Sequence, residues 1–183
     1  MKFSARTGRR IAAGLSLAGA IVAVPVAALA AAPSAPAATA AARPCTAANT
    51  RVWLGLPGDA AAGTIYYQIE FSNIGRATCS LYGYPGVSML NARGQGVGLP
   101  ASHGGTRHVV VLRPGGTAHV VLGAGEAGNF CNKPIDTTTL RVYAPGQKAA
   151  QILPFRWQAC RGRSTLRVDA VHPRTGIPMF TTS

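Results

Sequence analysis

The chain has 183 residues, with 18 Lys and Arg against 5 Asp and Glu, a formal net charge of +13, and four cysteines. Cys45, Cys79, Cys131 and Cys160 include no C-x-x-C pair, which argues against a structural zinc site and for two disulfides formed in an oxidising compartment. The positive excess favours acidic partners over basic ones, although the dominance of Arg over Lys and the Ala and Gly content also fit a GC-rich genome.

Residues 1–30 read as a signal peptide. Lys2, Arg6, Arg9 and Arg10 form a basic start, residues 11–26 an apolar run broken by Gly14, Gly19 and Pro25, and Ala28-Leu29-Ala30 a small-residue cleavage site. Arg9-Arg10 resembles a twin-arginine signal, but the residues around it match that motif poorly, and no cysteine stands at the cleavage point for lipid attachment. Residues 31–44 are an Ala/Pro-rich linker with no periodic apolar face. Residues 45–183 are then expected to form a single domain, secreted or associated with the cell wall and without a membrane span after cleavage. Removing the four basic residues of the leader leaves fourteen against five, a mature charge of +9.

Along this domain, short apolar runs alternate with Gly, Pro and Asn, and none keeps a 3.6-residue period. Residues 51–56 read as a strand with Val52, Leu54 and Leu56 on one face. Residues 65–72 form the clearest strand, with Ile65, Tyr67, Ile69 and Phe71 on one face, and SNIGR (residues 72–76) is expected to turn it into a hairpin with the strand of Cys79, Leu81 and Tyr82. Residues 87–90 continue past a Pro-Gly corner to the glycine-rich turn at 91–98. The consecutive Val109, Val110 and Val111 suggest a deeply buried strand, and Arg113-Pro114-Gly115-Gly116 a second hairpin into residues 117–122. Residues 123–136 read as the longest irregular loop. Leu140, Val142 and Ala144 alternate up to Pro145-Gly146-Gln147, and residues 152–157 and 166–171 supply the last strands. The expected fold is all-β: an antiparallel sandwich of about eight or nine short strands with two disulfides.

Residues 63–67 (GTIYY), 71–75 (FSNIG), 78–87 (TCSLYGYPGV), 112–118 (LRPGGTA) and 140–146 (LRVYAPG), with the four cysteines, resemble the secreted actinobacterial family called domain of unknown function 4232. The resemblance implies an immunoglobulin-like β-sandwich outside the membrane, with no established reaction and no assigned functional residues. Many members carry a lipobox cysteine and this chain does not, which favours free secretion or loose wall association.

Chemical motifs are sparse. Residues 123–128 (GAGEAG) match G-x-G-x-x-G, but no helical pattern follows to hold a pyrophosphate. His103, His108, His119 and His172 are the only set that resembles a copper or zinc site, yet there is no H-x-H pair and no neighbouring carboxylate to orient the rings, so surface histidines are expected and no metal or other cofactor. No G-x-S-x-G elbow and no free cysteine point to hydrolysis; the protein is not expected to be an enzyme. Arg156, Arg161, Arg163 and Arg167, grouped around Trp157 and Cys160, are the candidate contacts for an anionic polymer, with Trp157 expected to be buried beside a disulfide. The sequence therefore reads as an exported, non-catalytic interaction or structural module of the cell envelope. Its expected partner is an acidic wall polymer or another envelope protein rather than nucleic acid. A metal-dependent enzyme using the histidines and an inhibitor presenting loop 123–136 are the alternatives. Four cysteines allow three connectivities; chain order favours Cys45 with Cys79 and Cys131 with Cys160.

Overall fold

Alternation of apolar and polar residues governs almost every element. The computed structural model describes residues 41–55 and 58–176; the expected signal peptide, most of the linker, and Leu56 and Pro57 lie outside the described residues. The strands are β1 (Thr50–Leu54), β2 (Ala60–Ala61), β3 (Thr64–Asn73), β4 (Cys79–Tyr82), β5 (Gly86–Leu90), β6 (Gly96–Val97), β7 (Ser102–His103), β8 (Val109–Leu112), β9 (Thr117–Gly125), β10 (Ile135–Tyr143), β11 (Ala150–Ala159), β12 (Leu166–Val168) and β13 (His172–Pro173). Among these, β2, β6, β7 and β13 have two residues each, so nine longer strands carry the fold.

They form a seven-stranded sheet in the order β1-β3-β9-β12-β7, with β2 on β3 and β13 on β9, a four-stranded sheet β11-β10-β5-β6, and a two-stranded sheet β4-β8. Ile69 and Phe71 of β3, Val120 and Leu122 of β9 and Val168 of β12 meet Val87 and Met89 of β5, Leu140 and Val142 of β10 and Phe155 of β11 in one buried core. Each such side chain contributes on the order of 1.5–3 kcal/mol by leaving water. Tyr67 crosses between the sheets, edge-on to Phe155 at 5.1 Å and to Trp157 at 6.2 Å. Gln151 of β11 ties the sheet edges together: its Oε1 accepts from the Val52 amide at 3.0 Å and its Nε2 donates to the Thr50 carbonyl at 2.7 Å. Pro154 is tolerated in β11 because that strand lies at the edge of its sheet.

Both expected hairpins at SNIGR and RPGG are replaced by corners. β3 pairs with β1 and β9, not β4, and β8 pairs with β4, not β9. The pairs β3-β9 and β4-β8 are thus two stretches of one antiparallel ribbon, Ser72 facing Thr117 in the first and Cys79 facing Leu112 in the second. Asn73 pins the bend between them. It is fully buried, its Nδ2 donates to the Ala77 and Leu112 carbonyls at 2.9 and 3.0 Å, and its Oδ1 accepts from the Gly75 amide at 2.9 Å. A sharp bend strands backbone carbonyls, and a side-chain amide satisfies them where a sheet ladder cannot.

Three other expectations change. The Val109–Val111 run is not buried on both faces: Val110 is 3% exposed, but Val109 is 63% and Val111 55%, since β8 belongs to a two-stranded sheet with one face open. The loop begins at Glu126, because Gly123 to Gly125 continue β9, and it is closed by the 3-10 turn Ala127–Asn129 and by Cys131. Among the described strands one ladder is parallel: β7 meets β12 with Arg167 beside Ser102, because the chain leaves the four-stranded sheet after β6 and reaches the far edge of the seven-stranded one in the direction of β12.

The disulfides join Cys45 to Cys79 and Cys131 to Cys160, as chain order suggested, with Cα atoms 4.8 and 5.9 Å apart. At separations of 34 and 29 residues, each is worth roughly 3–4 kcal/mol through restriction of the unfolded chain. The first also holds residues 42–45 beside β4, where Ser80 donates its amide to the Arg43 carbonyl at 2.9 Å and the Cys45 amide donates to the Ser80 carbonyl at 2.8 Å.

Candidate functional site on the outer face of the large sheet

Because Ile69 and Phe71 face the core, Tyr66, Gln68 and Glu70 of β3 face outward, as do His119, Val121, Gly123 and Gly125 of β9 and Arg167 of β12. Register sets these residues in rows across the strands. Tyr66, Gly123, Arg167 and Ser102 share one row, and Glu70, His119 and His172 share another. Four residue steps along β9 take the chain from His119 to Gly123, about 13 Å of strand.

The first row lies in a groove of about 390 Å³ formed with Thr64, Phe130, Ser164, Thr165 and Asp169. Glycine makes the groove possible. A Cβ on Gly123 would press on Tyr66 and Thr64 at 3.3 Å, and one on Gly125 would strike the Phe130 ring at 2.7 Å. Arg167 is exposed, lies beside Gly104 and has no hydrogen-bond or ion-pair partner among the described residues. The Thr165 hydroxyl is buried and unpaired among the described residues. The groove thus combines two aromatic rings, an unengaged guanidinium, an unsatisfied buried hydroxyl, the serine hydroxyls of Ser102 and Ser164, the first bonded at 3.3 Å and the second at 2.9 Å to the Leu166 carbonyl, and the Asp169 carboxylate, whose two oxygens are engaged by the Val121 amide and His172.

Of the four candidate arginines, Arg167 lines this groove and Arg163 flanks it, its Nη1 donating to the Phe130 carbonyl at 3.0 Å. Arg161 is exposed in the turn after Cys160. Arg156 stands apart on β11, in a cavity of about 700 Å³ with Glu126, Asp136, Thr138, Trp157 and Gln158. That cavity is larger, but its two carboxylates against one guanidinium oppose an anionic ligand. Trp157 is half-buried rather than enclosed, stacked on Phe155 and donating from Nε1 to the Gly125 carbonyl at 3.0 Å, which couples the back of the cavity to the strand that floors the groove.

Three histidines, expected as separate surface residues, come together in the second row. The His172 ring lies 5.5 Å from that of His119 and 5.4 Å from that of His108. A carboxylate orients one of them after all: Asp169 Oδ2 lies 2.9 Å from His172 Nε2, while its Oδ1 accepts from the Val121 amide at 2.7 Å. β13 pairing with β9 causes the convergence, a juxtaposition across more than fifty residues that local spacing does not show. His103 lies elsewhere, stacked on Tyr84 at 4.8 Å. Among the described residues no group of three or more His, Cys, Asp or Glu is placed to hold a metal ion.

Beside His119, Glu70 is 1% exposed although it points outward, because residues 172–176 cross over it and the Gly176 amide donates to its Oε1 at 2.8 Å. Its Oε2 is buried and unpaired among the described residues, and desolvation raises its pKa above the ordinary glutamate value despite the Gly176 bond. Sequence reading passed over Tyr66, Gly123, Phe130, Thr165 and Asp169 as groove residues. The available signal was Gly123 and Gly125 at alternate positions, where a strand would otherwise present two side chains on one face.

No helix among the described residues is long and apolar enough to cross a membrane. No curated protein and no solved structure matches the chain. Residues 45–172, which include both disulfides, the groove and the histidine cluster, match the family described as Domain of unknown function (DUF4232), and the chain belongs to that family.

Proposed function

We propose that this protein is an exported, non-catalytic module of the cell envelope that binds an acidic glycopolymer in the groove on the outer face of its large sheet. The observation that carries the reading is the row Tyr66, Gly123, Arg167 and Ser102, in which an unengaged guanidinium stands beside an aromatic ring over a glycine floor. An anionic sugar chain presents apolar ring faces, hydroxyls and charged oxygens; the aromatic rings meet the first, Ser102 and Ser164 the second, and the planar fork of Arg167 the third. The mature charge of +9 favours approach to such a polymer, and two disulfides suit an oxidising location.

The test is binding of the mature protein to a purified glycopolymer bearing phosphodiester or carboxylate groups, beside an uncharged glycan, across about 50 to 200 mM salt. Affinity for the charged polymer should fall steeply with salt, and Arg167→Gln should weaken it about tenfold while Arg156→Gln leaves it nearly unchanged. Equal binding of the uncharged glycan, or an Arg167→Gln variant that binds like the parent, overturns the reading.

A further inference from the structure

We propose that His108, His119 and His172 form an acid-activated site for a phosphate oxyanion, a second contact for the polymer bound in the groove. The proposal rests on the groove reading for its polymer but not for its chemistry. In each imidazole one nitrogen is held by an oxygen: His108 Nδ1 by the Thr106 carbonyl at 3.2 Å, His119 Nδ1 by the Arg174 carbonyl at 2.9 Å, and His172 Nε2 by Asp169 at 2.9 Å. An oxygen acceptor fixes the proton on the nitrogen that faces it. The neutral rings therefore leave His108 Nε2, His119 Nε2 and His172 Nδ1 as lone pairs, with no partner among the described residues. Protonation turns each lone pair into an N–H donor without disturbing the bond on the other side. The donors of His108 and His119 stand on rings whose centroids lie 5.4 and 5.5 Å from that of His172, a spacing that the oxygens of one tetrahedral oxyanion can bridge.

One neighbouring charge moves the same way. Asp169, from the segment after β12, is committed to the Val121 amide and to His172. Glu70, from β3, faces His119 from beneath, and its raised pKa brings it to the neutral form as acidity rises. Arg174, from the strap over the sheet, and Arg113, from the turn before β9, line an adjoining cavity of about 430 Å³. As pH falls, imidazolium charge appears while the negative charge of Glu70 is withdrawn, so affinity for phosphate rises. The rows containing Gly123 and His119 lie about 13 Å apart, a distance that successive charged groups of one polymer can span and a single small anion cannot.

Histidine side-chain resonances of the mature protein, followed during titration with inorganic phosphate near pH 5.5 and pH 7.5, test the site. His108, His119 and His172 should shift at the lower pH with about tenfold higher affinity than at the upper, and His103 should stay still. His119→Gln and His172→Gln should each remove the acid increment, the pair guarding against loss of the strap in either variant. In a second arm, a phosphate-bearing polymer should bind about tenfold tighter near pH 5.5, and Arg167→Gln should weaken it equally at both pH values. Phosphate shifts without polymer binding would sustain this site and remove the groove; polymer binding with no acid increment and silent histidines would do the reverse. Shifts shared equally by His103, or stoichiometric stabilisation by Zn(II) near pH 7.5 with phosphate silent, overturn the proposal.

Discussion

Asn73 and Gly116 meet where one ribbon bends from the large sheet into the small: the Asn73 amide donates to the Gly116 carbonyl at 2.9 Å, and the Gly115 amide returns a bond to the Asn73 carbonyl at 2.8 Å. The Asn73 side chain satisfies the carbonyls of Ala77 and Leu112. Asn73→Ala should therefore cost about 2–3 kcal/mol, more than the loss of an exposed hydrogen bond, because the buried Leu112 carbonyl and the part-buried Ala77 carbonyl both lose their donor. Chemical denaturation with the disulfides intact measures it; a loss below about 0.5 kcal/mol would mean that water replaces the amide.

Gly125→Ala is expected to act on the groove more than on the core. The added Cβ would force the Phe130 ring off β9, opening one wall of the groove. Polymer affinity should drop several-fold, with a stability loss of about 1–3 kcal/mol from the steric strain. Unchanged fluorescence and binding would show that Phe130 has room to move aside.

Removing the Cys131–Cys160 bridge as a double Ala variant should cost roughly 3 kcal/mol. Hydrogen exchange should quicken at residues 126–134 before the central strands respond, because the bridge closes that loop and Arg163 Nη1 bonds the neighbouring Phe130 carbonyl. Uniform quickening would place the bridge at the centre of global stability instead.

Glu70 gives the stability curve a definite sign. Its folded pKa is raised, so its contribution is fully present below the unfolded value and is lost as pH rises through the folded one. Glu70→Gln should therefore stabilise the protein near pH 7.5, by on the order of 1 kcal/mol for removal of a desolvated charge, and have little effect near pH 4. Thermal unfolding of both proteins across that range checks the sign; a variant less stable near pH 7.5 would show that the Gly176 bond needs the charge.

Alternation made much of the fold legible. Ile69 with Phe71, and Leu140, Val142 and Ala144, lie buried as their period-2 spacing predicts, and Pro145-Gly146-Gln147 joins β10 to β11. The two false hairpins arose because Asn-Ile-Gly and Pro-Gly-Gly have the same local chemistry whether the chain reverses within a sheet or passes between sheets; the distinction is which strand lies alongside. Val109 and Val111 misled because a valine run describes propensity and not the number of covered faces. The groove was less legible still. Tyr66, Gly123, Phe130, Arg167 and Asp169 come from distant segments and meet only through the register of β3, β9 and β12, so charge alone points to Arg167 and nothing local points to its neighbours in space.

The groove itself is most directly tested by mapping backbone amide shifts of the mature protein during titration with the acidic glycopolymer at low salt. Shifts should concentrate at Thr64, Tyr66, Gly123, Phe130, Ser164 and Arg167, leaving Thr138, Arg156 and Gln158 of the other cavity unmoved. Shifts centred on that second cavity, or spread evenly over the arginines of the surface, would contradict the assignment of the outer face of the large sheet as the binding site.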